Sequence, residues 1–145
     1  MLGLIQRVSS AYVTIDQKEV ARIDNGLLLL LGIQKRDNKE DAQKLLLKIL
    51  KYRIFADLEG KMNKSLSDVS GGLLIVSQFT LAADTRKGLR PSFSSAAPPD
   101  SAEDLYNYFL ALAKKSHPSV QNGQFGATMD VTLTNDGPVT FMLQS

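Results

Sequence analysis

Apolar positions set the first outline of the chain. In residues 2–8, Leu2, Leu4, Gln6 and Val8 alternate with Gly3, Ile5 and Arg7, which predicts an opening strand with apolar residues on both faces. Residues 11–16 and 19–23 read as a hairpin around Gln17-Lys18. Asn25-Gly26 marks a turn, and the run 27–33 that follows has no polar residue, so it predicts a strand buried on both sides. Asn38 stands where it can cap a helix, and Ala42, Leu45, Leu46, Ile49 and Leu50 then recur at helical spacing. Residues 73–81 predict another buried strand, followed by a polar loop carrying Arg86, Lys87, Arg90, Pro91, Pro98 and Pro99.

The second helix is the most clearly marked element. Asp100 or Ser101 is placed to cap it, with Glu103 or Asp104 at the reciprocal capping position. Ala102, Leu105, Tyr106, Phe109, Leu110 and Ala113 share one face, and Pro118 stops the run. Residues 128–134 alternate through Met129, Val131 and Leu133. A turn at Asn135-Asp136-Gly137-Pro138 then predicts a last strand over 139–143 and so a terminal hairpin. Strands, helix, strand, helix and hairpin in this order give an α+β class. The expectation is one layered domain, residues 1–145, of mixed or antiparallel sheet with two main helices.

Composition narrows the chemistry. The 145-residue chain is long enough to bury roughly two thirds of its unfolded surface. It has no Cys, which removes thiolate metal sites and a Cys nucleophile, and a single His, which removes a His-rich metal centre. No metal or other cofactor is called for. The longest apolar run, 27–31, is too short for a bilayer, and residues 1–7 lack the order of a signal peptide, so a cytoplasmic location is expected. A net charge of +2 permits an anionic partner without requiring one.

Residue chemistry alone stays undecided. A Ser-His-Asp arrangement would need His117, which sits at a helix end where a basic side chain commonly meets the last carbonyls. No G-x-S-x-G elbow, P-loop or dinucleotide fingerprint occurs. Asp136-Gly137 also fits a plain turn. Two segments carry more information: Ser77-Gln78-Phe79-Thr80-Leu81 and Asn135-Asp136-Gly137-Pro138-Val139-Thr140. Together they resemble the two signatures of the D-aminoacyl-tRNA deacylase family. The likeness extends over Leu4-Ile5-Gln6-Arg7-Val8, Arg53-Ile54-Phe55, Gly60-Lys61-Met62-Asn63, Asp84-Thr85-Arg86-Lys87-Gly88 with Arg90-Pro91-Ser92-Phe93, and Phe125-Gly126-Ala127.

The resemblance implies a homodimeric hydrolase, with no cofactor, that cleaves D-amino acids and glycine from the 3′ end of tRNA. The active site would lie at the subunit interface, with Gly137-Pro138 of one copy, joined by a cis bond, reaching a pocket built by Ser77, Gln78, Phe79 and Thr80 of the other. Rigid carbonyls there would exclude L side chains while leaving room for D-residues or glycine. Backbone N–H groups near Phe79 and Thr80 would hold the ester carbonyl, because nothing beside Thr80 could activate its hydroxyl. Ser77 and Gln78 would orient the amino acid, and Arg7 would hold the Gly-Pro carbonyls. Phe125 and Met129 would wall the adenosine, although their strand spacing fits core packing equally. A non-catalytic RNA-binding module, using Lys61, Lys64, Arg86, Lys87, Arg90 and Phe93, and a dimeric scaffold are the competing readings. The bland reading of those basic residues is a solvated loop.

Overall fold

In a computed structural model that describes residues 1–86 and 88–145, one long strand organises the sheet. β1 (Leu2–Ile15) pairs along one edge with β3 (Gly26–Gly32) through its first half and with β2 (Lys18–Ile23) through its second half. Its other edge is covered along nearly its whole length by β8 (Asp130–Gln144), antiparallel. Beyond β3 come β6 (Gly72–Ser77) and β7 (Val120–Asn122), both parallel additions. β2 in turn touches β6 and β7, so the mixed sheet wraps nearly closed.

Two apolar cores result. On the outer face, Ile5, Leu27, Leu29, Leu31, Leu73 and Ile75 pack under α1 (Lys39–Lys51) and α3 (Pro99–Ser116). Inside the wrap lie Val8, Val13, Ala21, Ile23, Leu28, Leu74 and Val76, with Met129, Val131 and Leu133 against them. The leucine run 27–31 is thus shared between both cores, which is why it contains no polar position. The two helices expose the expected faces to the core. Asn38 caps α1, accepting from the Glu40 and Asp41 amides, while the Asp41 carboxylate accepts the Asn38 N–H.

Four local expectations are corrected. No side chain caps α3: it starts at Pro99 after Pro98, and a proline in the first turn has no N–H to leave unsatisfied. The strand expected over 73–81 stops at Ser77. The Gln78 N–H makes a last bond to the Leu31 carbonyl at 2.8 Å, and Phe79–Ala82 then forms a 3-10 turn. That turn folds over Gly32, where a Cβ would lie 2.9 Å from Leu81 Cβ. No terminal hairpin forms: residues 130–144 are one strand, because β1 is long enough to pair with both of its halves. Lastly, the His117 side chain does not meet the last carbonyls of its helix. Its Nε2 donates to the Gly71 carbonyl at 2.7 Å, at the start of β6, and the ring is buried.

The chain between the helices also holds elements the pattern did not single out: the short hairpin β4 (Phe55–Ala56) with β5 (Met62–Lys64), and α2 (Leu66–Val69). Among the described residues no helix is long and apolar enough to cross a membrane.

Candidate active site

The wrapped sheet leaves a cavity of about 460 Å³ where β3 and β6 end. Its walls are Leu31, Val76 and Val131 from the strands, Ile33 just after β3, Pro99 and Ala102 from α3, and Phe125, Ala127 and Met129 from the segment before β8. Ser77, Gln78 and Phe79 close one side. Five of the expected site residues therefore meet: Ser77, Gln78, Phe79, Phe125 and Met129. Thr80 stands next to them without lining the space, and its hydroxyl accepts the Gln78 side-chain amide at 2.6 Å.

Phe125 and Met129 serve as wall and packing at once. Phe125 lies 5.6 Å, ring centre to ring centre, from Tyr106, and Met129 packs against the inner core. Tyr106 is fully buried; its hydroxyl donates to the Ile75 carbonyl at 3.2 Å, and burial pushes its ionisation well above the ordinary phenol range.

Among the described residues, the N–H groups of Phe79 and Thr80 donate to no acceptor, since they open the 3-10 turn and precede its first internal bond. No imidazole stands nearby: His117 bonds to Gly71, six residues or about 20 Å down β6 from Ser77. Among the described residues no group of three or more His, Cys, Asp or Glu is placed to hold a metal ion.

Arg7, Gly137 and Pro138 form a second group elsewhere. Val8 pairs with Asn135 and Gln6 with Thr140, so residues 136–139 bulge out opposite Arg7 alone. Arg7 Nε donates to the Asp136 carbonyl at 3.0 Å and lies 3.1 Å from its carboxylate, while Nη1 donates to the Ile54 carbonyl at 2.7 Å. Arg7 thus holds the carbonyl preceding Gly137. Asn135 closes the neck: its side chain accepts the Val139 N–H at 2.7 Å and donates to Thr140 Oγ1 at 2.9 Å. Reading the segment as a turn hid this role of Asn135. Val139 is buried, whereas Asp136, Gly137 and Pro138 are exposed, and the Gly137-Pro138 peptide is cis.

The two groups do not meet within one chain. Arg7 pairs with Leu27, four residues or about 13 Å along β3 from Leu31 at the cavity, and β1 separates the bulge from β3. The basic residues are also divided. Lys61 pairs with Glu59 and Arg86 with Asp84, Lys64 and Arg90 are exposed, and Lys87 lies outside the described residues.

The described residues thus form an α+β domain with a mostly apolar cavity bordered by Ser77, Gln78 and Phe79. The chain belongs to the D-Tyr-tRNA(Tyr) deacylase family, whose pattern matches residues 4–144. That membership places it among hydrolases acting on aminoacyl-tRNA. It is 61% identical to the D-aminoacyl-tRNA deacylases of Teredinibacter turnerae and Stutzerimonas stutzeri, covering 100% of both chains in each case. A solved structure titled c-Myc DNA Unwinding Element Binding Protein superposes with a TM-score of 0.96 at 40% identity, over 100% of this chain and 99% of the other. One titled as a probable eukaryotic D-amino acid tRNA deacylase gives 0.86 at 19%, over 99% and 98%, a likeness of fold.

Proposed function

We propose that the chain hydrolyses the ester of D-aminoacyl-tRNA, and of glycyl-tRNA, at the cavity beside Ser77–Phe79, in the cytoplasm where translation supplies the substrate. The observation that carries this reading is the pair of unengaged amides of Phe79, which lines the cavity, and of Thr80 beside it. They would hold the ester carbonyl oxygen and stabilise the negative charge it gains as water adds. The ribose 2′-OH would assist as a shuttle, taking the proton of the attacking water while passing its own to the departing 3′-oxygen. Collapse of the adduct then breaks the bond to the 3′-oxygen, which takes a proton and leaves as the tRNA terminus. Ser77 and Gln78 would orient the amino acid, and Phe125 and Met129 would flank the adenosine.

The exposed Gly137-Pro138 bulge has no occupant in its own chain, yet Arg7, Asn135 and buried Val139 hold it rigid. A homodimer in which the bulge enters the other copy's cavity gives that rigidity a use. Its carbonyls would obstruct a side chain projecting as in an L-residue and leave a D-residue or glycine untouched. Chirality would then be enforced by exclusion, with little preference among D side chains.

Purified protein incubated with matched D- and L-tyrosyl-tRNA tests this directly. Release of D-tyrosine with L-tyrosyl-tRNA left intact is expected. Binding of both without turnover would instead support a nucleic-acid-binding module. Because the backbone carries the oxyanion, Thr80→Ala should keep kcat within about tenfold of wild type, losing only the contact from Gln78. A near-complete loss in a folded, substrate-binding variant would return the nucleophile to Thr80.

A further inference from the structure

Two large aromatic rings stand at the surface beside the cavity. Phe79, one of its walls, is 59% exposed, and Phe93 is 41% exposed. Their ring centres are 5.0 Å apart with planes tilted by 53°, so Phe93 extends the apolar wall outward beyond the rim. Its backbone is held from both sides. On one side, Asp84 and Ser92 exchange backbone hydrogen bonds of 2.7 and 3.0 Å, which tie down the arm that leads into Phe93. The Asp84 carboxylate also accepts from the Arg86 amide and guanidinium, and these bonds hold it well below the usual carboxylate range. On the other side, the Ala96 N–H donates to the Phe93 carbonyl at 3.1 Å, and the Ser95 hydroxyl bonds the Ala82 carbonyl. An aromatic ring on a fixed backbone loses little freedom when a flat partner settles on it. Arg90, on the same arm, is exposed and has no acceptor among the described residues, whereas the charge of Arg86 is already matched by Asp84.

We infer that Phe93 is a stacking platform for the nucleobase immediately preceding the terminal adenosine, with Arg90 placed for the phosphates of the same single-stranded tail. The inference rests on the reading of the cavity as the seat of the aminoacyl-adenosine. A strand whose last residue enters the cavity must leave across its rim, and Phe93 is the exposed ring that continues that rim. Stacking on a π-face tolerates any base, so the platform adds affinity for a nucleotide tail without selecting among tRNAs by sequence.

The test compares D-tyrosyl esters of adenosine, of the dinucleotide cytidylyl-adenosine, and of whole tRNA. Phe93→Ala should raise KM for the dinucleotide and tRNA esters by about 5- to 150-fold, the usual range for losing one base–aromatic stack. Turnover of the adenosine ester should not change, and Phe93→Tyr should restore wild-type values. Arg90→Gln should lower the salt slope of tRNA affinity by about 0.7. An equal loss on all three esters would mean Phe93 only supports Phe79, and no loss on any would mean nothing stacks there. Conversion of Phe93→Ala to monomer, read by sedimentation, would mean that a second copy covers the ring. Each of these overturns the inference. A wild-type protein that cleaves none of the esters would overturn the proposed activity instead.

Discussion

Replacing Gly137 with alanine is expected to lower kcat/KM for D-tyrosyl-tRNA by about 100-fold or more. Gly137 has φ of +137°, a conformation that L side chains rarely adopt. An added Cβ would sit 2.6 Å from Val139 Cγ2, 3.0 Å from Val139 N and 3.2 Å from Arg7 Nη2. Val139 is buried in the outer core and Arg7 is committed to the Asp136 and Ile54 carbonyls, so neither can yield cheaply. The bulge must therefore shift, and a displacement of about 1 Å in a positioning group commonly costs two orders of magnitude. Strain at this site should also destabilise the fold by about 1–3 kcal/mol. Gly60→Ala is the control, because Gly60 has φ of +78° and no atom within 4 Å of an added Cβ. It should unfold slightly earlier and keep its activity. If Gly137→Ala turned over D-tyrosyl-tRNA like wild type, the bulge would have no part in the site.

The second large effect belongs to the substrate. A D-tyrosyl-tRNA ending in 2′-deoxyadenosine should bind with nearly unchanged affinity but react about 10²- to 10⁴-fold more slowly, the usual worth of a positioned proton acceptor. The protein gives little to replace the missing hydroxyl. Ser77 and Gln78 are not bases, the Thr80 hydroxyl is engaged by Gln78, and His117 is bound to Gly71 at the far end of β6. Single-turnover rates on the ribo and deoxy substrates decide the matter. Equal rates would require a base from the protein and would end the substrate-assisted mechanism.

Local patterns carried much of this reading. The helical stripes on α1 and α3 and the leucine run 27–31 report burial directly, because the period of apolar positions is the imprint of the surface they cover. The Asn38 cap was legible for the same local reason: donor and acceptor lie within three residues. Where the sequence misled, the competing partner was distant. Asp100 and Ser101 resemble a cap until Pro98 and Pro99 start the helix earlier. Residues 73–81 look like one strand until Gly32, from β3, admits the turn that leaves the Phe79 and Thr80 amides without an acceptor.

By itself the sequence determined the fold class, the family and the two signature segments, since these depend on composition, spacing and identities along the chain. Only the tertiary structure decided what each segment does in space. Asn135-Asp136-Gly137-Pro138 has every local mark of a hairpin turn, yet β1 offers an edge long enough to pair with the strand on both sides of it. The ladder therefore runs through, and Asp136, Gly137 and Pro138 are left exposed in a bulge held by Arg7 and Asn135. Hydrogen bonds along β1, formed between residues some 130 positions apart in sequence, outweigh the turn preference of four neighbours. The same long-range pairing places the bulge and the Ser77–Phe79 cavity apart in one chain, which no local pattern records.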